Sequence, residues 1–282
     1  MFMDIEKLRF GYESRLFDIL EAQLGQSLCQ GAVQAQNMLQ TWKRNLLGNA
    51  VCVTAELLPE VHRQYQLCLN MLGANLNGDL FVQQGMEYNA GVFAYQNKFD
   101  VLINSSLLNN FTPDEWRFVF GHELGHVIFG HSRFSVREIL ANMPDVSADT
   151  ADMLFRWSRA AEVSADRIGL LCCGKLTDAV IALFKTASGL SGIDADRVLA
   201  SFRRQYESLE TQLREAGTDG SAWVRTHPMM PIRFKALELA ALDIVSLRHN
   251  PSGFSWKGFR LIDDQIARIL ESLDLMSFLK VS

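Results

Sequence analysis

The stretch TPDEWRFVFGHELGHVIFGH, Thr112 to His131, decides how this chain folds and what it can bind. Thr112 is an N-cap residue, Pro113 suits the first helical position, and Glu115 stands three residues beyond the cap. That is a capping box with a proline start. The spacing predicts a helix from Pro113 to about Phe129, ended by Gly130, with Trp116, Val119, Phe120, Val127 and Ile128 packing it into a core. On this helix His122 and His126 stand four residues apart and share a face, one turn above the other. Two imidazoles stacked this way can bind one zinc ion. Glu123 follows the first of them in the position of a general base toward a metal-activated water. The HExxH pattern arises by chance in about one chain per hundred of this length, so two unrelated histidines on an amphipathic helix are the alternative at this point.

A catalytic zinc takes three protein ligands. The pattern HExxHxxGxxH would need a histidine at 132, but that residue is Ser132 and the glycine slot holds Phe129. His131 falls one residue short and past the helix end, so it reads as a helix-terminal histidine favoured by the C-terminal dipole. A carboxylate on another helix is the remaining source. RAAEVSADRIGLLCCG, Arg159 to Gly174, offers Glu162 and Asp166 on one helical face. Glu162 would ligate, and Asp166 would accept from the second nitrogen of a ligand histidine and so fix its tautomer. Otherwise both acids are solvated and paired with Arg159 and Arg167.

HELGH followed by EVSAD resembles the HExxH…ExxAD signature of the gluzincin metallopeptidases of the CAAX prenyl protease 1 and bacterial HtpX type. NAGVFAY, Asn89 to Tyr95, resembles the edge strand of that family, with Gly91 and Val92 departing from its usual NAFA pattern. THPMMPIRF resembles its late HPxxxxR motif and marks His227, Pro228 and Arg233. About Val51 to Leu242 follows the family order. The resemblance implies an α+β fold with a thermolysin-like (zincin) core: a small mixed, mainly antiparallel sheet packed on the zinc helix, and a largely helical C-terminal half. It implies one Zn²⁺ per chain held by His122, His126 and Glu162, with Glu123 as general base and His227 as a second donor to the oxyanion. Arg233 would brace Asp166 or the His227 loop, or lie on the surface. The backbone of Asn89, Ala90, Gly91, Val92 and Phe93 would take an extended peptide as an added strand. The activity implied is zinc-dependent endopeptidase action on a polypeptide substrate. The rival reading is a non-catalytic zinc-stapled module acting on a partner protein through its terminal helices, such as Asp263 to Leu279.

Around this core, residues 1–50 read as a helical extension, 51–247 as the metallopeptidase domain and 248–282 as a helical tail packed on or near it. Pro59 opens a helix to about Leu72, closed by Gly73. Leu80–Gln83, Gly91–Tyr95 and Phe99–Asn104 read as strands, preceded by a short one from Val51. Residues 132–157 form either a lid or a structural helical hairpin. The 282 residues carry a net charge of −5 with no block of like charges, which argues against a nucleic-acid surface and a cationic membrane patch. The longest apolar runs, Ala179–Phe184 and Ile168–Cys173, are too short to span a bilayer. The first residues mix acids and bases without an apolar core, so a cytoplasmic protein without membrane insertion is expected. The five cysteines include no CxxC and are expected to be reduced.

Overall fold

The computed structural model describes residues 5–29, 32–73, 76–95, 98–143, 145–216 and 229–278. Two helices, α1 (Gly11–Cys29) and α2 (Ala32–Asn49), lead into the short strand β1 (Val51–Cys52). Helix α3 (Pro59–Leu72) begins at its proline and ends where Gly73 turns left-handed at φ 63°. Strands β2 (Gly78–Gln83), β3 (Ala90–Tyr95) and β4 (Lys98–Asn104) follow. The rest of the described chain is helical: α4 (Ser105–Asn110), α5 (Pro113–Ile128), α6 (Val136–Asn142), α7 (Ala148–Cys173), α8 (Leu176–Ser188), α9 (Ala195–Ala216), α10 (Met230–His249) and α11 (Trp256–Phe278).

The sheet has the order β1-β2-β4-β3. Both outer pairings are antiparallel and the central β2–β4 pairing is parallel, so the sheet is mixed. The chain leaves β2, runs out to the edge as β3 and returns inside it as β4. Alternation along the strands divides the two faces. Leu80, Val92, Phe99, Val101 and Ile103 join the main core with α3 and α5. Asp79, Phe81, Phe93 and Asp100 point the other way and meet α2. There Trp42 stacks on Phe93 with ring centroids 5.6 Å apart. Lys43 Nζ reaches Asp79 at 2.7 Å and Asp100 at 2.6 Å.

Helices α5 and α7 pack closely along each other, and small residues are the reason. A Cβ at Gly121 would stand 2.9 Å from both Cys172 Sγ and Gly169 Cα, and one at Gly125 would stand 2.9 Å from Ala165 Cα. Those separations lie inside van der Waals contact, so only glycine lets the two backbones approach this far. The capping box of α5 forms as expected: Thr112 Oγ1 accepts from Glu115 N, and Thr112 N donates to Glu115 Oε2 at 2.9 Å. Lys185 from α8 also binds that carboxylate, at 2.6 Å.

A second core joins α1, α6, α7, α10 and α11 through Phe10, Leu20, Leu154, Trp157, Ile232 and Ile266, among others. Phe134, Val136 and Ile139 are buried in it. The part of residues 132–157 that precedes α7 is thus anchored in this core by three side chains. Pro144, near its middle, lies outside the described residues. Cys52, Cys68, Cys172 and Cys173 are free thiols.

Candidate metal centre

Helix α5 carries His122 and His126 on the face turned to α7, and α7 answers with Glu162 and Asp166. The Nε2 atoms of the two imidazoles lie 3.1 Å apart. Glu162 places Oε2 at 3.6 Å from His122 Nε2 and Oε1 at 3.5 Å from His126 Nε2. A zinc ion with bonds of about 2.0–2.1 Å in tetrahedral geometry spaces its ligand atoms about 3.3 Å apart. The two imidazole nitrogens stand close to that spacing and the Glu162 carboxylate faces both, with one donor atom from each residue within 4.8 Å of the others; among the described residues these three form the grouping that could hold a metal ion.

The proton arrangement fits the same use. His122 Nδ1 lies 2.9 Å from Asp166 Oδ1, an ionised acceptor, so this nitrogen carries the proton and Nε2 keeps its lone pair for the donor cluster. Arg233 from α10 grips Asp166 with two bonds, Nε to Oδ2 at 2.8 Å and Nη2 to Oδ1 at 2.6 Å. Its Nη1 is also 3.3 Å from Glu162 Oε2. Burial by itself would raise the Asp166 pKa, but the charge and hydrogen bonds of Arg233, with His122, hold it below the usual carboxylate range. Burial likewise opposes the charge on Arg233, yet Asp166 and Glu162 outweigh it and keep the guanidinium protonated. The histidines diverge. Burial disfavours a charged His122, but Asp166 and Glu162 raise its pKa. Burial and then the neighbouring His122 push His126 well down, which keeps it a neutral donor.

The structure brings His122, His126, Glu162, Asp166 and Arg233 into one cluster. Arg167 does not form the acid-pairing face considered as the alternative, since its Nη2 instead meets Asp263 of α11 at 2.5 Å. Glu123 is buried at 8% exposure, and its charge is among those acting on Arg233. Strand β3 is the outer strand of the sheet beside α5. Ala90 and Val92 pack inward, Phe93 stacks on Trp42, and a side chain at Gly91 would meet open space. Asn89, just before the strand, accepts from Asn104 N at 3.0 Å. His227 and Pro228 lie outside the described residues.

His131 lies past the end of α5, as expected, but it makes a contact that sequence reasoning did not show. His131 does not cap α5: the helix ends at Ile128, Gly130 turns left-handed at φ 67°, and His131 starts a separate short 3-10 turn. That reversal brings its buried ring back so that Nδ1 lies 2.7 Å from His126 Nδ1. The glycine after the helix was the available signal, because a positive φ there folds the next residue under the last turn.

Comparison with known proteins places the chain among metallopeptidases. The profile of "Peptidase family M48" matches residues 55–241. The chain is 28% identical over 177 residues to the "Plastoglobule-localized metallopeptidase 48, chloroplastic" of Arabidopsis thaliana. That alignment covers 58% of this chain and 50% of the relative, so the chain spans about half the length of the curated relative it matches. No solved structure matches the chain.

Proposed function

The chain belongs to peptidase family M48, and from that premise we propose that it is a zinc-dependent endopeptidase, a finer statement than the metallopeptidase function the family carries in general. His122, His126 and Glu162 would hold one ion per chain. When bound, the ion supplies Lewis acidity, polarising a water molecule and the scissile carbonyl. Glu123 takes the proton from the attacking water on its carboxylate and passes it to the leaving amine. Asp166 keeps the proton of His122 on Nδ1, and Arg233 holds Asp166 and Glu162 in register. His227, by its family motif, donates to the oxyanion. A polypeptide substrate adds to the outer edge of β3 through backbone hydrogen bonds along Asn89 to Phe93, which gives affinity with little sequence selectivity.

The observation that carries this reading is the donor cluster itself: two Nε2 atoms 3.1 Å apart with one carboxylate facing both, and a glutamate next in the chain to the first ligand. Three donors from the described residues suit a catalytic site, whereas a structural zinc takes four. Among the described residues no helix is long and apolar enough to cross a membrane. The cytoplasmic location expected from the sequence is part of the proposal, and the plastid location in the relative's name is that protein's own. Glu123→Gln tests the mechanism: zinc content should stay at one per chain while peptide cleavage falls by about 10²–10⁴. Cleavage at the wild-type rate would remove Glu123 from the role of base, and a wild type without zinc would remove the whole reading.

A further inference from the structure

The two imidazoles of the cluster are backed in parallel ways, and the second backing begins outside the family match. His122 rests on Asp166, which Arg233 grips with two bonds. His126 rests on His131. His131 Nε2 in turn lies 3.7 Å from Glu13 Oε1 of α1, beyond hydrogen-bond length but within ion-pair reach. Glu13 is fully buried, and Arg9 grips it with two bonds of 2.7 Å each. Trp157 Nε1 at 3.0 Å and Ser164 Oγ at 3.2 Å complete its surroundings. The His131 ring is itself held between the rings of Trp157, at 5.7 Å, and Phe129, at 5.8 Å. Each ligand histidine therefore ends on a buried carboxylate clamped by an arginine, and the second has one more imidazole in the line.

The protons along that line follow from the geometry. A hydrogen bond between two Nδ1 atoms needs one donor and one acceptor. A ring that ligates through Nε2 carries its proton on Nδ1, so His126 donates and His131 accepts. The proton of His131 then sits on Nε2, the nitrogen facing Glu13, where a buried carboxylate favours it. We propose that Glu13 and His131 form a positioning relay: Glu13 selects the tautomer of His131, and His131 fixes His126 as an Nε2 donor to the metal. The relay rests on the metallopeptidase reading of the cluster, and it makes α1, which lies outside residues 55–241, a working part of the centre.

The full chain is loaded with zinc and its affinity measured by competition with a chromogenic chelator. His131→Leu, which removes the acceptor, is expected to weaken zinc binding about 10–100-fold. His131→Asn, whose side-chain oxygen can accept from His126 Nδ1, is expected to restore most of that loss. Wild-type affinity in His131→Leu, or equal losses in both variants, overturns the relay. Should these variants fail to fold, the zinc-loaded wild type still decides. Long-range nitrogen–proton correlation spectra of histidine-labelled protein are expected to show His131 bare on Nδ1 and protonated on Nε2, and a proton on Nδ1 overturns the proposal. In Glu13→Gln the same spectra are expected to show mixed tautomers at His131; an unchanged spectrum removes Glu13 from the relay. A wild type that binds no zinc sinks the metallopeptidase reading, whereas tight wild-type binding with an unaffected His131→Leu sinks the relay alone.

Discussion

Replacing Arg9 by alanine takes away the guanidinium that holds Glu13, and the structure sets the size of the effect. Glu13 is 0% exposed, so its charge has no water to fall back on. Burial by itself pushes the Glu13 pKa up, but the hydrogen bonds and charge of Arg9, helped by the nearby His131 ring, outweigh it and bring the value from 4.5 down to about 2. At about 1.4 kcal/mol per pH unit, that difference corresponds to about 3 kcal/mol of stability at neutral pH. Removing one partner of a buried ion pair costs about 3–5 kcal/mol by mutational experience, which is the same scale. The sign follows from linkage. A carboxylate whose folded pKa lies below its unfolded one stabilises fully above the unfolded value and loses that stability as pH falls through the folded one. The contribution of Glu13 is thus complete above pH 4.5 and drains away between there and about pH 2. Without Arg9, burial dominates, Glu13 is raised, and the variant escapes that loss. Arg9→Ala is therefore expected to cost at least about 3 kcal/mol near neutral pH, with the gap narrowing as pH falls from the raised value of Glu13 in the variant and continuing to narrow by about 1.4 kcal/mol per pH unit below about pH 4.5. Urea unfolding followed by tryptophan fluorescence, run at neutral pH and again near the carboxylate range, measures both. A penalty below about 1 kcal/mol, or one of equal size at both pH values, refutes the reasoning.

Two further substitutions probe the frame of the centre. Gly125→Ala places a Cβ 2.9 Å from Ala165 Cα and 3.3 Å from Ala165 O, so α5 and α7 must part. A loss of about 1–3 kcal/mol is expected, together with weaker zinc binding, because His126 and Glu162 stand on opposite sides of that contact. Thermal unfolding and a zinc titration read the two effects, and no change in either would show slack between the helices. Thr112→Ala removes the cap that accepts from Glu115 N and is expected to cost about 1 kcal/mol. An equilibrium unfolding curve superimposing on that of wild type would contradict the role given to the capping box.

Much of the centre was legible because it is written in short-range chemistry. Thr112, Pro113 and Glu115 start α5 through contacts within one turn, and Pro59 and Gly73 bound α3 for equally local reasons. The spacing of His122 and His126 implies a shared face in any α-helix, and the same holds for Glu162 and Asp166. The strands were legible as segments, since alternation and turn residues are local, but their order was not. The edge position of β3 was expected only through the family resemblance, and the parallel pairing of β2 with β4 depends on which strand buries its apolar face against α3 and α5.

The sequence by itself determined the helices, their caps and the residue types on their faces, because an α-helix closes its hydrogen bonds within four residues. Only the tertiary structure decided which faces meet. The glycines of α5 and α7 let two nitrogens and a carboxylate face one another closely enough to share a metal ion. The left-handed Gly130 turns the His131 ring back against His126. Glu13 reaches that ring from a helix far away in the chain, through a core that no local pattern encodes. Contacts between distant segments are chosen by shape and burial rather than by spacing, and for that reason they became readable only once the chain had folded.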